Sequence, residues 1–184
     1  MKLSREQFEA LAMEQCDLLY RVAFRLTRNQ SSAEDLVQDT YLRAIRFHDG
    51  FDLQKYGIKP WLLRILHNIH TTQFHRDKKQ PGSMDDVQLD ALTGKHDATP
   101  QVGSSIWEGM DEQLVKAMNS LPEEYRSVLL LWAVEDLTYQ EISEVVEVPI
   151  GTVMSRLHRG RQKMAEQLQD YARENRIVTK PQAQ

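Results

Sequence analysis

Apolar residues recur three and four positions apart along most of the chain, and Ser/Thr-x-x-Glu/Gln pairs stand before several of these runs. That pattern predicts amphipathic helices entered through capping boxes. The first opens with Ser4 as N-cap and Gln7 three residues on, with Leu3 and Phe8 placed for a hydrophobic staple. Its predicted buried stripe is Phe8, Leu11, Ala12, Cys16, Leu19, Val22, Ala23 and Leu26. Ser31 with Glu34 marks a second start, followed by an apolar side of Leu36, Val37, Tyr41, Ala44 and Ile45. A Gly-containing loop over 48–59 leads to Pro60, which suits the first turn of a third helix burying Leu62, Ile65, Leu66 and Ile69. No segment reads as a clear strand.

Over residues 80–104 the periodicity fails, and Pro81-Gly82-Ser83, Thr93-Gly94, Thr99-Pro100 and Gly103-Ser104 signal turns. A stretch this long without a pattern is unusual inside one compact domain, so it reads as a tether or a functional loop. Beyond it, Ser105 with Glu108, Ser120 with Glu123 and Thr138 with Glu141 open three more helices, and a fourth runs from near Pro149 to about Arg173. The predicted architecture is all-α. Two small helical domains, 1–79 and 105–176, are joined by a flexible acidic linker over 80–104, with a disordered tail over 177–184.

A chain of 184 residues has room for two such domains. Its 23 Lys and Arg against 27 Asp and Glu give a formal net charge of −4, which argues against uniform coating of nucleic acid. The signs are segregated, however. Residues 59–79 hold Lys59, Arg64, Arg76, Lys78 and Lys79 against Asp77 alone, and residues 148–165 hold Arg156, Arg159, Arg161 and Lys163 with no acid. Residues 80–112 hold seven acids against Lys95. Two basic helices therefore flank an acidic tether.

Other chemistry is sparse. The single Cys16 excludes an internal disulfide, cannot build a zinc site alone, and reads as a small apolar core residue. His67, His70 and His75 form no matched ligand set, and no nucleophile–base pair or phosphate loop is present. Neither metal, cofactor nor catalysis is expected. Nothing approaches the ~18 apolar residues of a membrane span and no signal-peptide segment follows Met1, so a cytoplasmic location is expected.

Residues 138–161 carry the sharpest pattern. A short helix with Ile142, Val145 and Val146 meets a tight turn, and Pro149 starts a longer helix. At 100° per residue, Ile150, Val153, Leu157, Gly160, Met164 and Leu168 fall on one side of the second helix. Thr152, Ser155, Arg156, Arg159 and Lys163 form a polar stripe apart from it. Small Ser143 allows the two helices to approach closely. One face for a partner helix and one basic face for the major groove is the layout of a helix-turn-helix DNA reader, in which Arg can pair with guanine and Ser or Thr can meet bases or phosphates.

The second unit carries Leu121-Pro122-Glu123-Glu124-Tyr125-Arg126, Leu137-Thr138-Tyr139-Gln140-Glu141-Ile142, Gly151-Thr152-Val153 and Ser155-Arg156-Leu157-His158-Arg159. The first carries Ala33-Glu34-Asp35-Leu36-Val37-Gln38-Asp39-Thr40-Tyr41 and Trp61-Leu62-Leu63-Arg64-Ile65-Leu66-His67-Asn68, with Arg76 near the helix end. With these motifs in this order, the whole pattern resembles the extracytoplasmic-function (ECF) sigma factors, a compact branch of the bacterial sigma-70 family. The resemblance covers about residues 5–173. It implies that Asp35, Gln38 and Asp39 dock on the clamp helices of core RNA polymerase, and that Arg64, His67, Asn68, Thr71, His75 and Arg76 hold the opened minus-ten element. Thr152, Ser155, Arg156, Arg159 and Lys163 then read the minus-thirty-five element as duplex. The loop over 48–59 becomes a base pocket with Phe51 and Tyr56 as stacking groups, Trp61 belongs to the core, and the acidic linker threads the polymerase cleft. An anti-sigma factor is the expected regulator.

Three departures stand out. Glu147 occupies the turn where the family usually has Gly, so either a left-handed residue is strained by ~1–2 kcal/mol or the turn differs. Met154 replaces a common basic residue beside Ser155, and the loop before Trp61 is longer than in many relatives. Three rivals share the second unit: a conventional helix-turn-helix regulator that does not replace the sigma subunit, a nucleic-acid enzyme, and an adaptor with a degenerate DNA face. The first has no use for the Asp35/Gln38/Asp39 face, the second lacks a catalytic constellation, and the third would not need Arg156 and Arg159.

Overall fold

The structure, a computed structural model, describes residues 3–52, 57–79, 112–133, 135–169 and 171. Among these residues the regular structure is helical, and the chain divides into two compact units. The linker over 80–104, the start at Ser105 with Glu108, Tyr56 and the tail over 177–184 lie outside the described residues.

The first unit contains α1 (Arg5–Met13), α2 (Cys16–Thr27), α3 (Gln30–Arg46), a 3-10 turn at His48–Gly50 and α4 (Ile58–Lys79). Ser4 caps α1 through the expected box: its Oγ accepts from the Gln7 amide at 3.2 Å, and its amide donates to Gln7 Oε1 at 3.0 Å. The single first helix predicted from the stripe is two helices, with Gln15 between them at φ −92°, ψ 5°. The break allows two different neighbours. Phe8 on α1 reaches Phe51 and Trp61 with ring centroids 5.6 Å away in each case, while α2 lies against α3 and α4.

α3 starts just before the predicted Ser31. Arg28 ends α2 in the left-handed conformation, and the Asn29 side chain then accepts from the Ser32 amide at 2.9 Å. Asn is a strong N-cap, so this corner needs only two residues. Leu19, Leu36, Leu62, Leu63, Leu66 and Ile69 are fully buried between the helices, and each such side chain contributes roughly 1.5–3 kcal/mol relative to exposure. Cys16 is half-buried rather than a core residue. It sits beside Tyr41, whose hydroxyl donates to the Ala12 carbonyl at 2.9 Å, and burial, reinforced by Cys16, pushes the phenol up.

The second unit, apart from Ser143–Glu147, contains α5 (Glu112–Asn119), α6 (Glu123–Ala133), α7 (Tyr139–Val146) and α8 (Ile150–Gln167). α6 begins at Pro122, whose carbonyl accepts from the Tyr125 and Arg126 amides. Ser120, the predicted cap, donates instead to Ala117 O at 2.8 Å. The predicted box at α7 is present: Thr138 Oγ1 accepts from the Glu141 amide at 3.2 Å, and the Thr138 amide donates to Glu141 Oε2 at 2.8 Å. α8 crosses α6 at Gly160, where an added Cβ would lie 2.7 Å from Leu129 Cδ1 and 3.3 Å from Tyr125 Cβ. Only a residue without a side chain permits that approach.

Candidate nucleic-acid interface

α7 enters a turn in which Glu147 has φ 54°, and Pro149 then starts α8 by accepting from the Thr152 and Val153 amides at 2.8 and 3.2 Å. The turn therefore keeps the left-handed step that glycine would make freely, and Glu147 carries its cost of ~1–2 kcal/mol.

From this start α8 presents two unlike faces. Val153, Leu157 and Gly160 are buried, while Ser155, Arg159 and Lys163 are exposed and Thr152 is half-buried. Ser155 Oγ donates to Thr152 O at 2.9 Å, which leaves its lone pairs outward. Arg156 is held differently: its guanidinium lies 3.7 Å from Glu124 on α6, and the side chain is 26% exposed. Arg161, counted with the basic run, lies over the Trp132 ring at 4.9 Å. Ile150 was expected on the buried side but is exposed, as is Met154.

In the first unit, α4 turns Leu62, Leu63, Leu66, Ile69 and His70 inward. Helical geometry places Arg64, His67, Asn68, Thr71 and His75 on the opposite face. Arg76 stands apart from them. It lines a groove of about 290 Å³ between α3 and α4 with Asp39, Arg43, Ile69, Thr72 and Gln73. The groove thus joins a predicted polymerase-binding residue to a predicted minus-ten residue. Arg43 could have been found as the residue one turn beyond Asp39, but Thr72 and Gln73 carried no signal. His70 is buried against Phe74, and burial lowers its imidazole to about 4. Among the described residues no three His, Cys, Asp or Glu side chains converge as a metal site.

Phe51 is corrected by the structure. It is 3% exposed and packs on Trp61 at 5.0 Å, so it belongs to the aromatic core rather than to a base-stacking pocket. Trp61, half-buried against Phe8 and Phe51, keeps its core reading. On α3, Asp35, Gln38 and Asp39 are all exposed on one side, and Leu42 continues the same line as an exposed apolar residue.

Comparison with known proteins places both units. The family model described as Sigma-70 region 2 matches residues 12–80, and that described as Sigma-70, region 4 matches 111–164. The ECF RNA polymerase sigma factor SigE of Mycolicibacterium smegmatis is 33% identical over 174 residues, covering 91% of this chain, which spans 63% of that protein's length. The ECF RNA polymerase sigma factor SigW of Bacillus subtilis is 30% identical over 165 residues, covering 84% of each chain. The chain belongs to the ECF sigma factors. The first unit of this sigma factor is thereby accounted for, which a conventional helix-turn-helix regulator leaves unexplained. Among solved structures, the sigma factor RpoE in complex with the anti-sigma factor NepR from Bartonella quintana is similar with a TM-score of 0.67 and 26% identity. The match covers 89% of this chain and 98% of RpoE. CnrH in complex with the cytosolic domain of CnrY shares the fold, with a TM-score of 0.61 and 20% identity over 91% and 90% of the two chains. No described helix is long and apolar enough to cross a membrane.

Proposed function

We propose that this sigma factor binds core RNA polymerase, confers promoter specificity, and divides the work between its two units. Residues 1–79 dock through Asp35, Gln38 and Asp39 and hold the opened minus-ten strand on Arg64, His67, Asn68, Thr71, His75 and Arg76. Residues 105–176 read the minus-thirty-five duplex through Thr152, Ser155, Arg156, Arg159 and Lys163, and 80–104 tethers the two. The observation that carries this reading is α8, with Val153, Leu157 and Gly160 buried and Ser155, Arg159 and Lys163 exposed beyond the helix-turn-helix turn. An apolar face fixes the helix while a cationic one is left for DNA. The family matches on either side of the linker support the division. The protein is a specificity subunit and performs no reaction of its own. An anti-sigma factor as its regulator is supported by the similarity to RpoE, solved with NepR.

The test is transcription by the purified chain with core polymerase on a promoter library. Promoter-dependent product is expected; absence of both product and polymerase binding would sink the proposal. Arg156→Ala should weaken minus-thirty-five recognition while polymerase binding persists, and equal loss of both would mean the helix is misassigned.

A further inference from the structure

Ile150 and Met154 stand one turn apart at the N-terminal end of α8, 44% and 52% exposed, while Val153 and Leu157 between and beyond them are buried. Neither exposed side chain contributes to the core. Between them, Gly151 is also exposed, and a Cβ there would meet nothing within 4 Å. Gly151 is the second residue of α8, and among the described residues no packing requires glycine there. Its missing side chain would let backbone and a ligand come close together.

The N-terminal residues of a recognition helix are those that reach base edges in the major groove. Among the groups displayed there, the C5-methyl of thymine is the apolar one, and the others are hydrogen-bond donors and acceptors. We propose that Ile150 and Met154 form an apolar reading surface for thymine methyl groups in the minus-thirty-five element, with Gly151 allowing the helix to seat against the bases. This rests on α8 being the promoter-facing helix. Exposed Arg159, with no acid on this stretch of α8, supplies the charge complementarity that identifies the occupant as duplex DNA, and exposed Ser155 adds a hydroxyl beside it. Four residues of helix rise about 6 Å and bases on a strand are about 3.4 Å apart, so the two thymines lie about two base-pair steps from each other.

To test this, holoenzyme formed from the full chain and core polymerase selects its minus-thirty-five sequence from a randomised library. The selected duplex is then titrated with each thymine replaced in turn by deoxyuridine, which lacks the methyl. Two positions should bind about fourfold more weakly as deoxyuridine, the effect of one buried methyl group. Met154→Ala should abolish the discrimination at one position and Ile150→Ala at the other, with polymerase affinity unchanged. Met154→Arg should move the selected base at its position from thymine to guanine. The inference is overturned if the selected element has no thymine, if wild-type holoenzyme is indifferent to the methyl, or if the alanine variants keep the full penalty. It also fails if they lose polymerase or anti-sigma binding instead of promoter discrimination. Arg159→Ala separates the two levels: weakened promoter binding with no methyl effect removes only the apolar reading, whereas no effect on promoter binding removes the DNA assignment of α8.

Discussion

Gly160→Ala tests whether the α6/α8 crossing is as tight as its geometry implies. Alanine in place of glycine would normally stabilise a helix by about 1 kcal/mol. Here the new Cβ lies 2.7 Å from Leu129 Cδ1 and 3.3 Å from both Leu129 Cγ and Tyr125 Cβ, against an ordinary carbon–carbon separation of roughly 3.5–4.0 Å. Leu129 is buried, so rotating its methyl away displaces other core atoms, and Tyr125 Cβ can move only with its helix. Overpacking of this kind costs about 1–3 kcal/mol, so the clash outweighs the propensity gain and the net loss is about 1 kcal/mol. For a unit of this size that lowers Tm by roughly 4–8 °C. Calorimetry on the full chain should show one transition moving and the other unchanged. Leu129→Ala removes the obstructing methyl, and in that background Gly160→Ala should change sign and stabilise by several tenths of a kcal/mol or more, about the propensity term alone. A Tm that rises in the otherwise wild-type chain, or an effect independent of Leu129, refutes the close-approach account.

Arg28 ends α2 at φ 59°, so Arg28→Gly should relieve ~1–2 kcal/mol of backbone strain against ~0.5–1 kcal/mol of lost glycine entropy, a small net gain readable as a higher urea midpoint for the first unit. His70 is held neutral, its pKa lowered to about 4 by burial, whereas the unfolded chain binds that proton near its ordinary 6.5. The unfolded state therefore holds more protons between those values. Stability should be greatest above about pH 6.5 and fall by up to ~1.4 kcal/mol per pH unit as pH drops towards 4; urea titrations should lose this component in His70→Phe. Lys163 is exposed one turn beyond Arg159 and suits a phosphate. Lys163→Ala should weaken holoenzyme binding similarly across promoter sequences and reduce the slope of log K against log salt by about one; a sequence-dependent loss would assign it to a base instead.

The local grammar of the chain was legible because helices repeat every 3.6 residues and their ends need side-chain partners. The boxes Ser4/Gln7 and Thr138/Glu141, the inward Val153/Leu157/Gly160 side and the outward Asp35/Gln38/Asp39 face follow from that alone. The two helical units follow from it as well, whereas the family was legible only through the motifs that resemble it, such as Gly151-Thr152-Val153 and Ser155-Arg156-Leu157. Non-local packing decided the rest. The apolar stripe from Phe8 to Leu26 stays in phase across Gln15, so periodicity cannot register a break whose purpose is to give α1 and α2 different neighbours. Phe51 looked available for a base because it stands in a loop, but the Phe8/Trp61 cluster buries it. Arg156 and Arg159 share a stripe, yet only Arg156 has Glu124 within reach, and Arg76 leaves its helix mates for the α3 groove. Sequence determines which side of a helix is apolar and which is charged. Only the tertiary structure decides what stands opposite each side, because burial and ion pairing depend on distances between residues far apart in the chain.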